Sequence, residues 1–262
     1  MTAVSLSVIE YLQQLPLLLR VLAISSLPAA LTVLGSAPIL LGARLGEELL
    51  DAGMGFSAGI MLVASFTSLL LPSIREGGLW LAIAGFTLGL LTVKGLDLLT
   101  PHLHFIKGYE GPRTRRSLRK AWLIALAMII HNVPEGMAVG AAATYSTTRG
   151  VLLALAIGVQ DIPEGLAVAI PLAIASGSPT KAFAMGALSG VAEALAALIP
   201  PLVVTAIATT LPLIMALAAG AMVYVVVHEV VPDIYGHGHD EPATVGFFAG
   251  FVTMLVLDAA LR

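Results

Sequence analysis

The 262-residue chain contains no cysteine, which excludes disulfides and thiolate metal ligands together. It is also poor in charge. Asp, Glu, Lys and Arg make up 11% of it, where a soluble domain carries about 25%, so it cannot cover a water-facing surface. The net charge of −3 comes with no wide basic face, which excludes a nucleic-acid partner. The opening MTAVSLSVIE lacks a basic n-region, so no cleaved signal peptide is expected. A nucleotide-binding loop motif is lacking too, and direct ATP drive within this chain is thereby excluded.

What the chain has instead is hydrocarbon. Apolar residues make up 58% of it and mean hydropathy is +0.97. A membrane-crossing helix needs about 20 mostly apolar residues. Apolar runs between Gly, Pro and charge punctuation predict eight of them: 20–42, 54–74, 79–100, 121–143, 151–174, 181–207, 211–232 and 244–261. The expectation is an all-α polytopic membrane protein forming one transmembrane domain over 1–262, embedded in lipid bilayer. The 101–120 loop holds Lys107, Arg113, Arg115, Arg116, Arg119 and Lys120. With this loop in the cytoplasm, Arg44 and Lys181 also lie inside, and eight basic residues face four outside: Arg20, Arg75, Arg149 and Arg262. Eight spans then leave both termini outside.

The acidic residues lie where they are least expected. HNVPEG (131–136) and QDIPEG (160–165) fall near the centres of the fourth and fifth spans, and Glu193 lies at the centre of the sixth. A carboxylate at mid-membrane costs about 2.5–3.5 kcal/mol, so Glu135, Asp161, Glu164 and Glu193 together cost on the order of 10 kcal/mol. No Lys or Arg lies near that depth in these spans, which leaves a bound cation, protonation or a wet cavity to compensate them. His131 and Glu135 are i,i+4, as are Gln160 and Glu164; Asn132 with Glu135, and Asp161 with Glu164, are i,i+3. Two such helices face to face offer one imidazole, two amides and three carboxylates. That set suits one or two divalent cations, with glutamates able to bridge. Imidazole with carboxylate points to borderline first-row metals such as zinc or iron. Pro134 and Pro163 lack an N–H, which leaves the carbonyls of Ile130 and Val159 free and predicts kinked fourth and fifth helices at a transporter-type site.

HNVPEGMAVG and QDIPEGLAVA resemble the paired signature helices of the ZIP family of divalent-metal transporters, and the Gln-Asp opening of the second resembles its prokaryotic GufA-type branch. SGVAEALAAL resembles the sixth signature helix, and HEVVPD (228–233) the seventh-span motif, with Asp233 in place of the usual Glu. The resemblance implies transport of Zn²⁺, with iron, manganese or cadmium as further cargo, into the cytoplasm, the metal being substrate and no organic cofactor taking part. It implies a site for two metals. The first would take His131, Glu135, Gln160 and Glu164; the second would take Asn132, Asp161 and Glu193, with Glu135 and Glu164 as bridges. It further implies a homodimer in a prokaryotic inner membrane. Spans 1, 4, 5 and 6 would slide against a scaffold of spans 2, 3, 7 and 8.

Outside that set, His228, Glu229, Asp233, His237, His239 and Asp240 read either as a metal exit path or as a solvated turn. His102 and His104 read as interfacial, and Lys94 with Asp97 as a local ion pair. Met61 and Ser68 share a helix face that fits an outer mouth or plain packing. Two other functions compete. An intramembrane metalloenzyme would want HExxH or paired Glu-x-x-His, and both are absent. A proton-driven exporter could use the same carboxylates.

Overall fold

In the computed structural model, residues 3–42, 46–99, 102–104, 108–110, 120–235 and 238–259 are described. Arg44, His237, Arg262 and the basic residues of 105–119 lie outside them. The chain is helical: α1 Ala3–Gln14, α2 Leu17–Ser36, α3 Glu47–Ala64, α4 Leu71–Gly77, α5 Leu79–Leu99, α6 Lys120–Tyr145, α7 Thr147–Ser176, α8 Pro179–Ala196, α9 Ile199–Ala206, α10 Leu211–Val225, α11 Val231–Ile234 and α12 Asp240–Ala259. Between α5 and α6, His102–His104 pairs antiparallel with Gly108–Glu110, a small hairpin inside the long loop.

Seven helices among the described residues are long and apolar enough to cross a membrane: Leu17–Leu41, Glu47–Gly77, Leu79–Leu96, Thr147–Ile174, Pro179–Ala206, Leu211–Ile234 and Asp240–Ala259. Each corresponds to one of the expected spans. The second starts earlier than its apolar run, because Glu47 and Glu48 in its first turn complement the positive helix end. The sixth is divided at Ala197–Leu198 into α8 and α9, where Pro200 and Pro201 cannot donate to the preceding turn. The helix α6 is 26 residues long, and both α6 and α7 run uninterrupted past Pro134, Pro163 and Pro171.

Two π-helical turns lie inside the bundle, Ser65–Leu70 between α3 and α4 and Val226–Val230 between α10 and α11. They have one cause. Pro72 and Pro232 each follow a widened turn in which Leu71 N–H reaches back to Phe66 and Val231 N–H to Val226. A proline removes the next donor, and the helix widens locally instead of breaking.

The helices pack in two groups. One is α2, α6, α7 and α8, each touching the other three. The other holds two pairs, α3 on α12 and α5 on α10. The groups meet along α3–α7 and α6–α10. Lipid offers no hydrophobic drive for helix association, so contact area comes from small residues that admit neighbouring backbone. On α3, a Cβ at Gly55 or Gly59 would collide with the carbonyl of Ala243 or Phe247 of α12; Gly246 and Gly250 return the arrangement against Ala52 and Phe56. Gly136 and Gly140 of α6 similarly seat on the carbonyls of Glu193 and Ala197. The second of the two motif helices is drawn in likewise, with Gly165 of α7 close to the Thr32 carbonyl of α2.

Candidate metal centre

These close contacts bring the polar residues of α6, α7 and α8 onto one point. Glu135, Gln160 and Glu193 are 0% exposed, Asp161 2% and Glu164 6%. Glu135, Asp161 and Glu164 each offer one carboxylate oxygen lying within 4.8 Å of the others. Around this triangle the remaining groups are held by short contacts. Gln160 Nε2 donates to Glu135 Oε1 at 2.7 Å. Asn132, buried in α6, lies beside Glu193. His131, which is half-buried, stands at the margin with its Nε2 at 2.9 Å from Glu229 Oε2.

The structure thus gathers all seven residues expected from the two motifs and the sixth span. It also brings in three groups that sequence reasoning did not place there. Glu229, read as part of either an exit path or a solvated turn, is buried and meets His131 directly, because the π turn at 226–230 rotates it inward while His228 stays exposed and stacks on Tyr224, ring centroids 4.8 Å apart. Ser57 Oγ of α3 donates to Glu164 Oε2 at 3.0 Å. Thr32 Oγ1 of α2 lies 3.2 Å from Asp161 Oδ2 and 3.0 Å from Glu193 Oε2. Hydroxyls in membrane helices usually bond a carbonyl four residues back, so neither residue carries a motif that would single it out. The available signal was their place within about one turn of a glycine used for close packing, Gly35 for Thr32 and Gly53 and Gly59 for Ser57.

The other expected groups fall elsewhere. His239 Nδ1 is 3.0 Å from Asp51 Oδ2, joining the start of α12 to α3 away from the triangle. Met61 and Ser68 are buried in the packing of the second span.

The donor count decides what this centre can accept. Glu135 Oε2, Gln160 Oε1 and Glu193 Oε1 are buried acceptors with no hydrogen-bond donor among the described residues. Buried polar atoms are ordinarily paired. Three orphaned oxygens beside a carboxylate triangle are the complement of a cation, and the hard oxygen set with one imidazole suits a divalent one.

Comparison with known proteins agrees with this chemistry. Residues 106–258 match the family model described as ZIP Zinc transporter. The chain is 42% identical to the zinc transporter ZIPB of Bordetella bronchiseptica over 246 residues, covering 88% of this chain and 78% of that protein. It is 36% identical to the zinc transporter GufA of Myxococcus xanthus, over 90% of this chain and 97% of that one. A human relative, zinc transporter ZIP11, is 31% identical over 88% of this chain and 94% of its own length.

Proposed function

The chain belongs to the ZIP family of zinc transporters, an integral membrane family of transporters rather than enzymes, and from that premise we propose that it carries Zn²⁺ into the cytoplasm. The observation that carries this reading is the buried triangle of Glu135, Asp161 and Glu164 with orphaned acceptor oxygens around it. A fully apolar surrounding makes a bare carboxylate cluster costly, and a divalent cation removes most of that cost.

The site holds two ions. His131, Glu135, Gln160 and Glu164 bind the first, and Asn132, Asp161 and Glu193 the second, with Glu135 and Glu164 shared between them. Gln160 supports this: its amide nitrogen is used on Glu135, so its oxygen is the atom left for a metal. An amide oxygen in place of an imidazole broadens selectivity, and iron, manganese and cadmium are secondary cargo. The helix α6, 26 residues long, is the eighth crossing, and Pro134 and Pro163 kink α6 and α7 at the site. The whole of 1–262 acts as one transport domain in the inner membrane of a prokaryote, with 101–120 in the cytoplasm, both termini outside, and a second copy forming a homodimer. The group α2, α6, α7 and α8 slides against the other, as its separate packing suggests.

The test is uptake of a metal panel by proteoliposomes of known orientation, with and without a pH gradient. Zn²⁺ accumulation in the direction of the 101–120 face, saturable and without an imposed proton gradient, is expected. Net flux in the opposite direction driven only by a pH gradient would replace this reading with a proton-coupled exporter, and metal binding without flux would sink both.

A further inference from the structure

The two-ion reading leaves one buried hydroxyl unassigned. Thr32 lies on α2, outside every signature motif, and is 2% exposed. Its Oγ1 is 3.0 Å from the Pro28 carbonyl, which is the ordinary bond for a threonine in a membrane helix. That bond does not account for the two carboxylates that close on the same oxygen, Asp161 Oδ2 from α7 at 3.2 Å and Glu193 Oε2 from α8 at 3.0 Å. A hydroxyl has one proton, so it serves one acceptor at a time, and the other two must be held near it by the fold.

The backbone supplies that hold. A Cβ at Gly35 would lie 2.8 Å from the Asp161 carbonyl oxygen, one at Gly165 would lie 2.9 Å from the Thr32 carbonyl oxygen, and one at Gly190 would lie 2.6 Å from the Ala29 carbonyl oxygen. So α2 sits flush on both α7 and α8 with no side chain between them. The height of Thr32 relative to Asp161 and Glu193 is therefore fixed by main-chain contact and not by side-chain choice. The residues of the first position have other partners: Gln160 for Glu135, Ser57 for Glu164 and Glu229 for His131. Thr32 Oγ1, by contrast, meets the two carboxylates assigned to the second position and a carbonyl of its own helix.

We propose that Thr32 is a positioning residue for the second metal position, its hydroxyl donating to Asp161 or Glu193 in turn and so setting how that pair faces one cation. The proposal rests on the two-ion reading. Bonds of this kind, from a neighbour to a metal-binding carboxylate, fix its orientation, and their loss typically weakens metal affinity about 10–100-fold.

The experiment is calorimetric titration of Zn²⁺ into the full chain in nanodiscs, for the unsubstituted protein, Thr32→Val, Thr32→Ser, Asp161→Asn and the Thr32→Val/Asp161→Asn pair. Valine keeps the shape of threonine and removes only the hydroxyl; serine keeps the hydroxyl. The expected result is two binding steps in the unsubstituted protein, with Thr32→Val weakening the weaker-binding or Asp161-dependent step about 10–100-fold and sparing the other. Thr32→Ser should retain that step, and Thr32→Val should add little once Asp161→Asn has removed it, since the two changes act through one contact. An unshifted step in Thr32→Val overturns the assignment, as does equal weakening of both steps or equal loss in Thr32→Ser. A single step in the unsubstituted protein overturns the two-ion reading itself, before any variant is compared.

Discussion

Glu164→Gln isolates the contribution of one charge to the centre, because glutamine keeps the volume and still offers an oxygen to Ser57. The three carboxylate oxygens of Glu135, Asp161 and Glu164 lie within 4.8 Å of one another, so an ion at their middle sits about 2.8 Å from each. At an effective dielectric of about 20, a divalent ion gains about 12 kcal/mol from each carboxylate, while each pair of carboxylates repels by about 3.5 kcal/mol. Removing one charge loses about 12 kcal/mol of attraction and relieves about 7 kcal/mol of repulsion. The carboxylates repel one another in the empty site too, so that relief is shared by the empty and loaded states; discounting it in full leaves about 5 kcal/mol, or about three and a half decades in Kd, as the smaller Coulombic loss, which the amide dipole facing the ion offsets in part. Calorimetric titration of Zn²⁺ in detergent should therefore show affinity weaker by at least about a hundredfold, and proteoliposome flux should fall with it. A Glu164→Gln protein that binds within about threefold of the unsubstituted one would refute the placement of the cation among these carboxylates.

Lowering pH from about 7 to about 5 should weaken Zn²⁺ binding progressively, because protons compete for the carboxylate and imidazole lone pairs proposed to hold the metal; a flat titration would assign the binding to amide and backbone oxygens. Gln160→His should tighten Zn²⁺ more than Mn²⁺ by adding a nitrogen ligand where an amide oxygen now stands, and an unchanged Zn²⁺/Mn²⁺ affinity ratio would remove Gln160 from the ligand set. At the end of α6, Tyr145 donates to Glu76 Oε1 at 2.9 Å, and this bond raises the phenol above the usual tyrosine range. Ultraviolet titration, differenced against Tyr145→Phe, should show that hydroxyl ionising late, and Glu76→Gln should bring it down toward the ordinary value; no change would mean the bond is not made in the membrane.

The spans were legible because their signal is cumulative: roughly 20 apolar residues between punctuation admit few other readings. Glu135, Asp161, Glu164 and Glu193 were legible for the opposite reason, since each violates the surrounding pattern at a cost that a functional site can justify. What sequence did not disclose depends on contacts between helices distant in the chain. Thr32 and Glu193 are 161 residues apart, and nothing in either local segment encodes their meeting. Glu229 was visible as a charge but its role stayed open, because the sense in which a helix rotates past Pro232 is decided by one widened turn. The break between α8 and α9 was written in Pro200 and Pro201, yet continuous hydropathy across it concealed the interruption.

The separation of the helices into two groups has a consequence for the energetics of carriage. The seven residues proposed as ligands all stand on α6, α7 and α8, within one group, whereas Ser57 and Glu229 reach in from the other. In the proposed sliding of one group against the other, the ion would keep every ligand it arrived with. What would change is two contacts at the edge, the Ser57 hydrogen bond to Glu164 and the close approach of Glu229 to His131. Freight that is never unpacked in transit does not have to be rehydrated halfway, and the barrier to crossing would then be set by those two moorings and by the α3–α7 and α6–α10 contacts, not by the strength with which the metal is held.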